Sequence, residues 1–555
     1  MIIGIDVGGT HTDAVLIKDE RLVKKAKFLT RQDHLMTSLL SAADHLLAGE
    51  DVSRIERLTI STTLSTNAIV EQKIDRVGMV ISSGPGLSPA LLPKFQDAYY
   101  VSGYMNHRGI EAAPLKEQEL EDVLDDFRKK GIRHAGVAGK FSCRNPQQEI
   151  RIGHQLKSAT DHVSLGHRMS GQLNYPRRMA TTYLNAAVWS RHRQFVHEVE
   201  EFIIKKGIKA PCYIMKADGG TFELPRSLDT PVQTILSGPA ASIMGTLPFV
   251  VPGQDAVILD IGGTTTDIAV LADGVPLLEP LGVTLGGYKT LIRGLRTRSI
   301  GIGGDSTVKV VQGRIVIGPG RTGPAIAFGG SDPTPTDAMV VLGLLQTGNR
   351  QAAGQALQTL AEQTNRSLPE VAEMIFSLTC DLISQAVTEV IEEINSQPVY
   401  TIHELLEGKT VVPKMLYVVG GPAEIMALPL GKRLGYPSHV PENAEVANAI
   451  GVALSRTTAE VALLADTERG VLTVAEEGLQ MPISKRFTRE ETIDFAREKL
   501  LEKARRLGAS EQDMDMEITE DQVFPMVRDF YATGKNIRIK VQIKPGLLSY
   551  LRGGN

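Results

Sequence analysis

Val257-Ile258-Leu259-Asp260-Ile261-Gly262-Gly263-Thr264-Thr265-Thr266-Asp267-Ile268-Ala269-Val270-Leu271 is the stretch that decides the fold. An apolar run ends at Asp260, Gly262-Gly263-Thr264 form a Cβ-poor bend, and a second apolar run leaves through Asp267. The same design stands at the N-terminus as Ile5-Asp6-Val7-Gly8-Gly9-Thr10-His11-Thr12-Asp13-Ala14-Val15-Leu16. Aligned on the first Asp, the copies share Asp, Gly, Gly, Thr, Thr and Asp. No helix follows the N-terminal glycines directly, so that unit is a β-hairpin and not a Rossmann crossover, and the second copy repeats it. A bend of this kind presents backbone N–H groups that suit phosphate oxygens. The Asp beside it would repel phosphate unless a cation intervenes, and a hydrated Mg²⁺ is the natural bridge. Two such loops in one chain point to one shared anionic ligand.

Bulk properties narrow the class. A chain of 555 residues predicts three or four domains. A net charge of −4 gives no basic footprint for nucleic acid. Glycine is in excess, 53 residues, and the excess sits in discrete loops. The three cysteines, Cys143, Cys212 and Cys380, are odd in number and far apart, which excludes a disulfide framework or zinc cluster. No uninterrupted apolar run approaches the roughly 18 residues of a membrane span. The start, Met-Ile-Ile-Gly-Ile-Asp, shows neither a basic region nor a cleavage site, so a cytoplasmic location is expected.

Outside the two loops, several stretches carry candidate chemistry. Ser61–Lys73 is a hydroxyl-rich loop feeding a short helix. Capping by Ser65 or Thr66 is the favoured reading, and a polar lining of a substrate cleft the sharper one. Cys143 has no histidine at a recognisable spacing, and His154, His162, His167, His192 and His197 match no metal-ligand pattern. Ser237-Gly238-Pro239-Ala240-Ala241 opens a small-residue helix, suited to close approach of another helix or a ligand. Gly318–Gly323 fits G-x-G-x-x-G but runs into Pro324 and an extended stretch, so the dinucleotide reading fails its context. Asp337 reads as a partner of its helix N-terminus. Met415–Val419 is a buried strand ending in Gly420-Gly421, where an adenine or ribose can lie against bare backbone. Residues 350–397 read as helices, and around 455–485 the pattern loosens. At the C-terminus, Thr488 with Glu491 makes a capping box, and Ile537, Ile539, Val541 and Ile543 alternate as a half-buried strand.

The two Asp-Gly-Gly hairpins and the later strand–Gly–Gly–helix resemble the actin-like ATPase fold of actin, sugar kinases and heat-shock chaperones. That resemblance implies an α/β fold of duplicated RNase H-like halves with an ATP cleft between them. Within that group the chain is similar to the hydantoinase A/oxoprolinase family. Thr62-Thr63-Leu64-Ser65-Thr66-Asn67-Ala68, Gly219-Gly220, Ser237–Ala241, Ile300–Ser306 and Pro335-Thr336-Asp337-Ala338 carry the likeness in family order. The expected layout is an N-terminal half over 1–175, a second half over 176–455, and a small α+β domain over 456–555.

The resemblance implies ATP and Mg²⁺ as cofactors. Asp6 and Asp260 would be catalytic and would hold Mg²⁺ through water. Gly8, Gly9, Thr10, Gly262, Gly263 and Thr264 would bind phosphates, Gly420 and Gly421 the nucleoside, and Gly303 and Gly304 would also belong to the ATP-binding residues. Thr66, Asn67, Arg298 and Asp305 would face the small-molecule substrate. Family chemistry is ATP-dependent opening of cyclic amides such as hydantoins and 5-oxoproline, by phosphoryl transfer to a carbonyl oxygen, often with a hydantoinase B-like partner subunit. The alternatives are a small-molecule kinase and a nucleotide-switched scaffold, and an oligomer is compatible with each. This chain departs from the family where the usual His-Thr-Ile-Gly-Ala-Gly-Gly-Gly-Ser stands as Arg298–Ser306. It departs again at Arg321-Thr322-Gly323-Pro324, and at His11, where Phe is usual.

Overall fold

The structure, a computed structural model, describes residues 1–30, 35–279, 281–396, 410–510, 514–528 and 531–551. Each glycine loop joins two antiparallel strands, as the alternating apolar runs require. Ile2–Val7 pairs with His11–Lys18, and Ala256–Ile261 with Thr266–Ala272. In both hairpins the two aspartates face each other in register, Asp6 opposite Asp13 and Asp260 opposite Asp267. Each leading strand also has a parallel neighbour, Arg57–Thr62 in the first case and Met415–Val419 in the second. The sequence repeat is therefore a structural repeat, and the architecture is the duplicated α/β plan.

The first sheet runs in the order 221–223, 212–215, 57–62, 2–7, 11–18, 21–29. Its strands at 212–223 lie beyond residue 175, so this sheet straddles the boundary expected there. The physical reason is that Cys212–Met215 completes the parallel pairing of Arg57–Thr62, and the long helix Tyr175–Lys206 is the crossover that returns the chain to it. Between them lies a separate parallel sheet of residues 162–165, 134–139, 77–82 and 97–100. The loosened pattern over 455–485 resolves into three short antiparallel strands, Glu460–Asp466, Val471–Val474 and Leu479–Pro482. They share a sheet with Tyr531–Ile543 and Met516–Arg528, backed by the helix Arg489–Arg506 with its Thr488–Glu491 capping box. Short strands with polar alternate residues give little periodic signal, which is why they read as irregular.

Two small-residue helices knit the halves together. Ser237–Thr246 and Ala447–Leu454 cross so closely that a Cβ on Gly245 would lie 1.8 Å from the Ala447 carbonyl oxygen. A Cβ on Gly451 would lie 2.1 Å from the Ala241 carbonyl oxygen. Of the small residues at 237–241, Ala241 takes part in this helix–helix approach, through its carbonyl oxygen.

The helix Leu368–Ser396 corrects the membrane reading in one respect. An 18-residue window within it has a mean hydropathy of 1.4, enough by length and composition for a span. Interspersed polar residues hid this from a search for uninterrupted runs. Its apolar positions pack into two cores, Cys380, Ile383 and Val387 against the second sheet and Val371, Ala372 and Ile375 against the helix Arg350–Thr364. The helical reading over 350–397 holds through Ser396, and residue 397 lies outside the described residues.

Candidate functional site

The two hairpin bends meet through side chains that no motif announced. Asn448, on the helix Ala447–Leu454, donates its amide to Asp6 Oδ2 at 3.3 Å. The Ser242 hydroxyl, on the helix Ser237–Thr246, lies 3.0 Å from Asn448 Oδ1 and donates to Asp260 Oδ2. A chain Asp6–Asn448–Ser242–Asp260 therefore links the two halves at their glycine loops. Asn448 is the one strongly polar residue in Ala447–Leu454, and that contrast was the available signal.

Four carboxylates gather at this point. Burial pushes Asp6 up to about 7, Asp13 and Asp260 add to the rise, and Ser61 and Asn448 oppose it. Burial likewise carries Asp267 to about 7, reinforced by the Asp260 charge. Asp260 and Asp13 are raised for the same first reason, with Lys27 opposing in both cases. Carboxylates that repel one another in a site of low polarity are a place for a cation. Asp6 Oδ1 is out of solvent contact and has no hydrogen-bond partner, which fits a ligand atom waiting for a hydrated ion. Among the described residues no three His, Cys, Asp or Glu side chains converge closely enough to enclose a metal. An ion here would take its remaining oxygens from water and phosphate, the habit of Mg²⁺.

The expected phosphate loops divide by role. Gly8 and Gly262 close their own turns, donating to the His11 and Thr265 carbonyls at 3.0 and 2.9 Å. A Cβ on Gly9 would meet nothing within 4 Å, so open space lies beside that bend. Thr10 holds the third strand, its carbonyl accepting from Thr30 N at 2.9 Å. On the second loop, Gly263 packs under the Asp305 carboxylate and the Thr264 hydroxyl accepts from Arg321 at 3.3 Å. Gly303 and Gly304, expected among the ATP-binding residues, have their backbone donors engaged within the protein. Their N–H groups are spent on Ser306 Oγ and the Gly262 carbonyl, so they buttress the second loop instead. Gly420, at φ +96°, sits so close to that loop that a Cβ would lie 2.3 Å from the Ile261 carbonyl, while Gly421 faces open space.

The substrate-side expectations fare differently. Arg298 lies on the strand Thr297–Ile300 and pairs with Glu389 of the helix Leu368–Ser396 at 2.8 Å, a contact that turns it to the helix. Thr66 does not cap its helix, because the N-cap is Thr63. Its hydroxyl accepts from Leu236 N at 2.9 Å and holds the left-handed turn that opens Ser237–Thr246. Ser65 also misses the cap position and meets Thr234 Oγ1 at 3.2 Å. Asn67 bonds Thr63 Oγ1 at 3.2 Å. Asp305 alone of the four stands at a glycine loop, bound to Arg321 at 2.9 Å. Asp337 completes a capping box with Thr334 and accepts from Ile326 N and Ala327 N. Cys143 is buried and its thiol pushed up by that burial, which makes it a poor nucleophile. His192 is buried and meets Ser227 Oγ at 2.6 Å, a core contact.

Residues 2–160 match the hydantoinase/oxoprolinase N-terminal region and residues 178–461 match hydantoinase/oxoprolinase. The chain is 27% identical to caprolactamase subunit alpha of Pseudomonas jessenii over 422 residues, covering 68% of this chain and 60% of that protein. It is 25% identical to the acetophenone carboxylase gamma subunit of Aromatoleum aromaticum over 397 residues, covering 62% of this chain and 53% of that one. In fold it is similar to nucleotide-free acetone carboxylase, with a TM-score of 0.73 at 17% identity over 99% of this chain and 88% of the other. With both of its profiles matched in order across most of the chain, the protein belongs to the hydantoinase/oxoprolinase family.

Proposed function

We propose that this chain is the ATP-using part of an ATP-dependent cyclic-amide hydrolase. One observation carries the reading: Asp6 and Asp260, from opposite halves, are tied together by Asn448 and Ser242 beside two glycine bends, and Asp6 Oδ1 is left unpartnered. The caprolactamase relative supports the cyclic-amide class, and relatives named as alpha and gamma subunits support a partner subunit.

In this reading Asp6 and Asp260 would hold hydrated Mg²⁺, and the ion would supply neutralisation of phosphate charge. The bends at Gly9-Thr10 and Gly263-Thr264 bind the phosphates, and Gly421 offers bare backbone to the nucleoside. The carbonyl oxygen of the amide attacks the γ-phosphorus, the bond from phosphorus to the β–γ bridging oxygen breaks, and ADP leaves. The resulting imidate phosphate carries a good leaving group. Water adds to its carbon, the ring nitrogen takes a proton and leaves as the amine so that the C–N bond opens to an acyl phosphate, and a second water hydrolyses that to the carboxylate and free phosphate. The chain's own contribution is to align the γ-phosphoryl group with the amide carbonyl and hold back bulk water, the usual substance of phosphoryl-transfer catalysis.

The test is ATP turnover over a panel of lactams, hydantoins and ketones, following phosphate and organic product together, with and without a hydantoinase B-like subunit. Free phosphate with an opened ring is the expected result. A stable phosphorylated metabolite would make the chain a kinase instead. Asp260→Ala is expected to abolish turnover in a protein that keeps its circular dichroism, and wild-type turnover in that variant would sink the assignment.

A further inference from the structure

Arg321 lies on a loop that reaches the second glycine bend. It follows the strand Arg314–Ile317. Its Nη1 donates to Thr264 Oγ1 at 3.3 Å, on the second bend, and its Nη2 donates to Asp305 Oδ2 at 2.9 Å. Its Nε donates to the Gly323 carbonyl at 3.0 Å, a bond within its own loop. Asp305 is itself fixed, with its backbone N donating to the Gly263 carbonyl at 2.7 Å and its carboxylate lying against Gly263. The charges of Arg321 and Asp305 are both felt, with opposite sign, at His11 of the first bend.

The guanidinium has five N–H groups, and these contacts engage three of them. Its side chain keeps 21% of its surface open, so it is anchored yet reachable. The other cation felt at His11 is Lys27, whose ammonium is committed to Asp13 at 3.0 Å and to the Glu445 carbonyl at 2.8 Å. An arginine held on a phosphate bend by a carboxylate, with N–H groups to spare, is preorganised to meet charge that develops on a transferring phosphoryl group. Its planar fork matches equatorial phosphoryl oxygens better than a point charge does.

We propose that Arg321 is a catalytic residue, an internally supplied arginine that contacts the γ-phosphoryl group in the transition state, and that Asp305 is its positioning residue. The proposal rests on the nucleotide reading above. It predicts that Arg321 discriminates between ground state and transition state.

The experiment measures binding by titration calorimetry, with two probes and no turnover. One is a non-hydrolysable ATP analogue with Mg²⁺, and the other is ADP with fluoroaluminate and Mg²⁺, which imitates the phosphoryl group in flight. Arg321→Ala is expected to weaken the fluoroaluminate complex by about 100-fold or more and the ATP analogue by less than about threefold. Arg321→Lys should fall between, since it restores charge without the fork. Should the alanine variant fail to fold, Arg321→Gln serves in its place, with the same expectation. Equal weakening of both probes would reduce Arg321 to a ground-state contact and overturn the proposal, as would no change in either. Wild-type protein that binds neither probe would instead sink the nucleotide reading, and this inference with it.

Discussion

The two glycine hairpins have the same backbone and different surroundings. In each, a leading Asp faces a trailing Asp across the ladder. In the first hairpin the trailing residue, Asp13, is met by the Lys27 ammonium from a long third strand. In the second, Asp267 receives only the Ser299 hydroxyl, and its pKa rises to about 7. The strands' outer faces differ as well. Position 4 is glycine because the helix Ala447–Leu454 lies directly on it, and a Cβ there would sit 2.3 Å from the Ala449 carbonyl oxygen. The equivalent position in the second strand is Ile258, buried in a core with Ala241 and Met244 of the helix Ser237–Thr246. Duplication supplied two equal glycine bends, and the elements packed around them made the halves unequal.

The largest effect should come from removing what the hairpins share. Asp6→Asn and Asp260→Asn keep shape and lose charge, and each should lower ATP turnover by about 1,000-fold, or roughly 4 kcal/mol of barrier. Steady-state kinetics of the two variants would break the symmetry if one retained activity. Next comes the asymmetry of packing. Gly4→Val must displace the helix on the first sheet and should cost about 3 kcal/mol of stability. Val at position 258 shortens Ile258 by one methylene and should cost only about 1 kcal/mol. Chemical denaturation of the pair measures that contrast. Lys27→Met leaves Asp13 uncompensated near the phosphates and should weaken ATP binding about tenfold, close to 1.4 kcal/mol. Calorimetry checks this.

The smallest effect sharpens the second hairpin. A carboxyl whose pKa is raised by folding stabilises fully below its unfolded value, 3.8 for Asp267. That contribution is lost as pH rises through about 7. The Ser299 hydroxyl opposes the shift, so Ser299→Ala should enlarge the loss of unfolding free energy between pH 5 and 8, by less than about 1 kcal/mol, as chemical denaturation at a series of pH values would show. An unchanged slope would mean that Ser299 does not tune Asp267.

Local signals made part of this legible. The Asp-Gly-Gly bends, the alternating runs beside them, the Thr488–Glu491 box and the strand before Gly420-Gly421 are all written in neighbouring residues, and each forms where the pattern put it. Long-range partners were invisible for a different reason. Arg298 reads as a site residue in the sequence because it begins a glycine-rich loop, yet strand alternation turns it to Glu389, 91 residues away. Thr66 reads as a cap or a substrate contact and is claimed by Leu236, 170 residues away.

What the sequence determined by itself is the repeated hairpin, and with it the fold, the two leading carboxylates and the family. Periodicity and glycine placement act over a few residues and need no knowledge of what packs above them. Tertiary structure alone decided that Asn448 and Ser242 join the two aspartates, that the N–H groups of Gly303 and Gly304 brace the second loop, and that Arg321 reaches the second bend. Those outcomes depend on burial and on which helix crosses which, set here by backbones that meet where Gly245 and Gly451 leave room.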